Sequence, residues 1–309
     1  MPTGDDGGLT TAELALLWAA RETGLLDALL TRVGTAHEAA AMTGVSEHAA
    51  RTVVDSLVDL GFLHRVGDEV EPTNRALGFL ATEDVRSIGR LPHAVDLFDR
   101  LRRLPEAMQA GLPPESPADW TRHELGARWA VDDAEVRATV DAIHAAHPDA
   151  TWALELCGGP GRYATELADR DLEVTLLDGA DVVETIGPML DTDRIHLQPG
   201  NFFSISETGY DVVYAVDMAW SLSREESAML VAAAADALAA DGTFVLVEPL
   251  RGHSDRAAET SVRALATGVG ECYAEADVAG WCFEAGLDDV EVADVPGTAF
   301  QAVAARRGR

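Results

Sequence analysis

Five short apolar runs punctuate the second half of the chain: Thr151-Trp-Ala-Leu-Glu-Leu156, Glu173-Val-Thr-Leu-Leu177, Arg194-Ile-His-Leu-Gln198, Asp211-Val-Val-Tyr-Ala-Val216 and Thr243-Phe-Val-Leu-Val-Glu-Pro249. Runs of this length, β-branched and with little polar alternation, suit strands buried on both faces. Each leads into a loop or a helix-forming stretch, and that alternation predicts a parallel sheet flanked by helices. Two further strands are expected over 288–295 and 300–306, after a helix over 274–287. The alanine-rich tract 232–240 is a strong helix former.

At 309 residues the chain has room for about two domains. Residues 10 to about 90 form a distinct pattern. Thr10 and Glu13 have capping-box spacing. After Gly34 the sequence predicts helix, glycine turn, helix, with Ala50, Val53, Val54, Leu57 and Val58 on one face. A hairpin around Gly67-Asp68 follows. Helix–turn–helix plus hairpin is a winged-helix arrangement. The expected organisation is therefore a winged-helix domain over 1–92, a helical linker over 93–148 and an α/β domain over 149–309.

Charge narrows the class of partner. There are 53 acidic and 23 basic residues, a net charge of −30, and every basic residue is arginine. Such a surface suits concentrated salt, where the Debye length shrinks to about 3 Å at 1 M and self-repulsion is quieted. A halophile's cytoplasm is the expected setting. Nucleic-acid binding requires a basic stripe, and the second helix of the winged motif sets Glu47, Asp55 and Asp59 against Arg51. A DNA-binding regulator is the reading this face opposes. No run of 18 uncharged apolar residues is present, and the acidic, glycine-rich start Met1–Gly8 lacks signal-peptide features. Neither membrane nor nucleic acid is expected as a partner. Cys157, Cys272 and Cys282 make no CxxC pair or Cys/His cluster, so neither a disulfide framework nor a metal site is expected.

The most informative segment is Ala153–Ala168, a strand ending in Glu155, a glycine-rich turn with Gly158, Gly159 and Gly161, and a helix opening. In sheets of this class ligands sit at the carboxyl ends of strands, where glycine lets the backbone approach them. Asp178 ends the next run, 23 positions after Glu155, placed to take both hydroxyls of a ribose. A ribose-bearing cofactor follows from the pair.

Taken in order, Glu155-Leu-Cys-Gly-Gly-Pro-Gly161, Asp178, Pro199-Gly-Asn-Phe-Phe203, Tyr210-Asp-Val-Val213, Asp241-Gly-Thr-Phe-Val-Leu-Val-Glu248 and Glu284-Ala-Gly-Leu287 resemble the motifs of S-adenosylmethionine-dependent small-molecule O-methyltransferases with an N-terminal winged-helix dimerisation domain. The resemblance implies a Rossmann-like methyltransferase sheet, S-adenosylmethionine as cofactor, a small aromatic acceptor and a homodimer. It implies that Glu155, Cys157, Gly158, Gly159 and Gly161 hold the methionine end of the cofactor, Asp178 and Gly179 the ribose, and Asn201 and Phe202 the adenine. Asp217 and Met218 would face the cofactor or the reacting centre.

Four positions depart from the family pattern: Glu155 and Asn201 stand for aspartates, Cys157 for the first glycine, and Trp220 for the catalytic histidine. An indole N–H donates a hydrogen bond but takes no proton. Trp220 thus becomes a substrate-pocket residue and the general base is displaced. His253, beyond the fifth run, is the candidate base, with Asp217 a second. Positioning alone is the alternative, since in-line alignment supplies about 7–11 kcal/mol of such a barrier. Two other functions stay open: a cofactor-binding relative that has turned to another reaction or to ligand sensing, and a winged-helix regulator.

Overall fold

A computed structural model describes residues 8–82, 84–190 and 193–308. The first seven residues, on which the signal-peptide reading rests, lie outside that range. In chain order the elements are α1 (Thr11–Glu22), α2 (Leu25–Thr31), α3 (Ala36–Thr43), α4 (Glu47–Asp59), β1 (Leu63–Val66), β2 (Glu69–Pro72), α5 (Leu91–Arg102), α6 (Leu104–Ala110), α7 (Trp120–Trp129) and α8 (Asp133–Ala146). The sheet region follows with β3 (Trp152–Leu156), α9 (Arg162–Ala168), β4 (Glu173–Asp178), α10 (Ala180–Ile186), β5 (Ile195–Pro199), β6 (Tyr210–Val216), α11 (Arg224–Ala237), β7 (Leu238–Glu248), α12 (Ala257–Thr267), α13 (Glu275–Glu284), β8 (Leu287–Asp294) and β9 (Gln301–Arg307).

Two compact units result. One comprises residues 1–102 and 116–130, the other 103–115 and 131–309, so the segment 93–148 contributes to both. In the first unit the Thr10–Glu13 capping box opens α1, and Thr35 and Ser46 cap α3 and α4 through their side chains. Leu17, Leu29, Val54, Leu57 and Phe62 lie in its core. The α3–α4 pair leads into the β1–β2 hairpin, closed by the Val66↔Glu69 pair around Gly67-Asp68. The outward side of α4 carries exposed Glu47, Asp55 and Asp59, and Arg51 is 3.5 Å from Glu47.

The second unit is built on a seven-stranded sheet in the order β5-β4-β3-β6-β7-β9-β8. The first five strands are parallel, and β9 runs antiparallel to both of its neighbours. The continuous apolar runs are explained by burial on both faces: Ala153, Leu154, Val213, Ala215, Phe244 and Val245 are fully buried. The edge strand β8 presents exposed Asp288, Asp289, Glu291 and Asp294, charges that blunt further strand pairing. All seven expected strands are present.

The tract 232–240 corrects the helix expected there. Helix α11 stops at Ala237, and Leu238 turns to extended backbone to pair with Tyr210, so β7 starts five residues before the apolar run. Alanine permits helix, but the ladder to β6 decides.

Among the described residues no helix is long and apolar enough to cross a membrane, and no cluster of three or more His, Cys, Asp or Glu side chains could hold a metal ion.

Candidate active site at the strand ends

From β3 the chain steps outward to β4 and β5, then returns to the other side of β3 for β6 and β7. That reversal opens a crevice between the carboxyl ends of β3 and β6, the place where open α/β sheets bind ligands. The glycine turn and Asp217 both lie at its edge.

The turn is shaped by its own packing. Cys157 takes φ 56°, in the left-handed region, and its N–H donates to the Leu177 carbonyl at 2.8 Å. Glu155 is 1% exposed, and its side chain runs beneath the turn: a Cβ at Gly158 would lie 2.4 Å from its Cδ. Gly161 has φ +90°, and a Cβ there would lie 2.9 Å from the Leu190 side chain. Glycine is therefore required at 158 and 161 before any ligand is considered.

Asp178 joins this turn to the next strand. Its Oδ2 accepts the Gly159 N–H at 2.9 Å and its Oδ1 accepts the Gly179 N–H at 2.7 Å. Both carboxylate oxygens are thereby oriented by backbone donors, the preparation that paired recognition of vicinal hydroxyls needs. After β5, Asn201 is exposed and its side-chain oxygen accepts the Phe203 N–H at 3.0 Å. Phe202 packs into the sheet's apolar core while Phe203, 4.3 Å away ring to ring, is the exposed aromatic. The sequence named Phe202 for the adenine; the ring that reaches solvent is its neighbour.

At the end of β6, Asp217 adopts φ 48° and Met218 is buried. Trp220 is buried too, its indole N–H donating to the Asp217 carbonyl at 3.1 Å. Two residues that the sequence reading did not single out organise this turn. Glu248, at the end of β7, accepts the N–H groups of Met218 and Ala219 on Oε1, each at 2.6 Å. Arg263 of α12 donates from Nη2 to both oxygens of Asp217, at 2.9 and 3.0 Å, and its guanidinium carbon lies 3.8 Å from the Trp220 ring centroid. Burial foremost, then the charge of Asp217, pushes the Glu248 carboxyl up from 4.5 to about 8 against the pull of its two N–H donors. The buried site thus favours the protonated form of Glu248.

His253 lies on the loop after β7, with its Nε2 2.9 Å from Glu275 Oε2 of α13. Its side chain is 39% exposed. The structure thus brings Glu155, Cys157, Gly158, Gly159, Gly161, Asp178 and Gly179 into one bonded turn, sets Asp217, Met218 and Trp220 at the neighbouring strand end, and ties His253 to an acidic partner.

Solved structures share this arrangement of elements nearly end to end. Human N-acetylserotonin methyltransferase, in complex with SAM, matches with a TM-score of 0.68 at 19% identity, over 97% of this chain and 95% of its own. The mitomycin 7-O-methyltransferase MmcR matches with a TM-score of 0.72 at 18% identity, over 96% and 94%. N,N-8-amino-8-demethyl-D-riboflavin dimethyltransferase (RosA) from Streptomyces davawensis gives 0.71 at 16% identity, over 96% and 95%. No protein-family model and no curated protein matches the sequence. The chain has the methyltransferase fold: a seven-stranded, largely parallel sheet preceded by a helical N-terminal unit.

Proposed function

We propose that the chain transfers a methyl group from S-adenosylmethionine to the oxygen of a small, aromatic acceptor. The observation that carries this reading is the Asp178 carboxylate bonded through Gly159 to the glycine turn, at the point where the strand order reverses. The donor set fits an adenosyl cofactor: backbone of the 157–161 turn for its methionine end, Asp178 and Gly179 for the ribose, and Asn201 with the adjoining phenylalanines for the adenine. When bound, this cofactor supplies an electrophilic methyl on a sulfonium, which needs no acid to activate it.

The protein's share is placement. The turn and Asp178 fix the donor, while Asp217, Met218 and buried Trp220 line the next strand end and keep water from it. Holding acceptor and methyl in line supplies about 7–11 kcal/mol of the barrier. Transfer of labelled methyl from S-adenosylmethionine to members of a phenol panel, lost in Asp178→Ala, tests the proposal. Trp220 favours a second reading, in which the cofactor is kept for another reaction or for sensing. Tight cofactor binding with no transfer to any acceptor would select it.

A further inference from the structure

We propose that Arg263 binds the acceptor as an oxyanion, so that the nucleophile has lost its proton before the methyl moves. The proposal rests on the methyltransferase reading and names the acceptor class: molecules whose nucleophilic oxygen ionises readily, such as acidic phenols.

Arg263 sits over the Trp220 ring and is tethered to Asp217 beside the crevice, at the end of β6. Both contacts to Asp217 come from one amino group, Nη2. A guanidinium carries five N–H donors. Its Nε, buried, has no hydrogen-bond partner among the described residues, and the side chain as a whole keeps 25% exposure. Nε is closed off, so it is the remaining terminal amino group, Nη1, that is left to meet an anion, on a guanidinium already oriented by Asp217 and partly desolvated.

The neighbouring acids already have partners. Glu106 of α6 is 2.9 Å from Arg103, and Glu259 on α12 itself is 3.3 Å from Arg256. Glu248 holds the backbone of Met218 and Ala219. His253 pairs with Glu275, and the Tyr273 hydroxyl donates to the Leu222 carbonyl at 2.6 Å. Trp220 accepts no proton. Arginine accepts none either, but a cation within about 4–6 Å makes an acid give up its proton to water more easily. In the step that follows, an acceptor oxygen lone pair forms the new O–C bond as the methyl's C–S bond breaks. The C–S electron pair stays on sulfur, and the acceptor's proton has already left to solvent.

The test uses 4-nitrophenol, whose ionised form is read by its absorbance, bound to the full chain saturated with S-adenosylhomocysteine. At fixed pH the phenolate-to-phenol ratio of the bound probe is expected to rise about tenfold over free solution. It should return to the solution value in Arg263→Gln, stay raised in Arg263→Lys, and rise further in Asp217→Asn, which removes the competing carboxylate. The neutral counterpart 4-nitroanisole should bind wild type and Arg263→Gln alike. A ratio equal to that in free solution, absence of probe binding, or a raised ratio that survives Arg263→Gln overturns the proposal. If Arg263→Gln does not fold, the Asp217→Asn shift decides in its place. S-adenosylhomocysteine binding is measured separately on the same samples, so failure there sinks the cofactor reading and not the anion site.

Discussion

Glu248 holds the backbone of Met218: its Oε1 accepts that N–H at 2.6 Å and the adjacent Ala219 N–H at the same distance. One side chain at the end of β7 thereby fixes the turn on which Asp217 and Trp220 are carried. Glu248→Ala leaves two buried N–H groups without an acceptor and should cost about 2–6 kcal/mol in urea unfolding, at roughly 1–3 per orphaned group.

Glu248→Gln separates charge from shape. The folded carboxyl titrates near 8 against 4.5 for its ordinary value, so between those limits the unfolded chain has released a proton that the folded one keeps. Stability contributed by this group is present in full below about 4.5 and is lost as pH rises toward 8. The glutamine variant has no such loss. Its melting temperature should therefore gain on the wild type's across that window and hold a constant difference above it.

Gly158→Ala places a methyl 2.4 Å from the Cδ and 2.5 Å from the Cγ of buried Glu155, so that side chain must shift. Overpacking of this kind costs about 1–3 kcal/mol. A melting scan should show that loss, and S-adenosylhomocysteine should no longer raise the variant's melting temperature.

His253 distinguishes a protein base from an acceptor that ionises by itself. With the imidazole tied to Glu275, His253→Ala should leave the rise of kcat/KM with pH in place, its midpoint following the pKa of whichever phenol is used. A limb that vanishes with the substitution would assign the base to His253.

The surface is a separate matter. A net charge of −30 without a lysine should make the fold salt-dependent, with the melting temperature climbing as KCl rises from about 0.1 to 2 M while the Debye length falls from about 10 Å toward the 3 Å reached near 1 M. A flat or falling curve would remove the halophilic reading.

The strands and the glycine turn were legible because burial on two faces leaves a continuous apolar run, and a tight strand-to-helix turn demands glycine. The start of β7 was not: alanines 232–235 and 239–240 look alike, and only pairing of Leu238 with Tyr210 turns the chain to strand. Which of Phe202 and Phe203 faces the core depends on the backbone path after β5, not on residue type. Arg263 was hidden for another reason. Its partner Asp217 lies 46 positions away, and nothing in the pattern of α12 marks one arginine as the one that stacks on Trp220. Glu248 stood in a motif, but its role as the holder of the 218–219 backbone appears only when β6 and β7 lie side by side.

On this reading the 157–161 turn and Asp178 clasp an adenosyl sulfonium. Calorimetric titration of S-adenosylhomocysteine into wild type and Asp178→Ala, with melting temperatures taken on the same samples, decides whether they do. The expected result is saturable binding to the wild type, with stabilisation of about 2.7 kcal/mol at a hundredfold excess over Kd, and affinity at least about tenfold weaker in the variant. No heat and no melting shift in the wild type at about 1 mM ligand, where even a weak site registers, would contradict it.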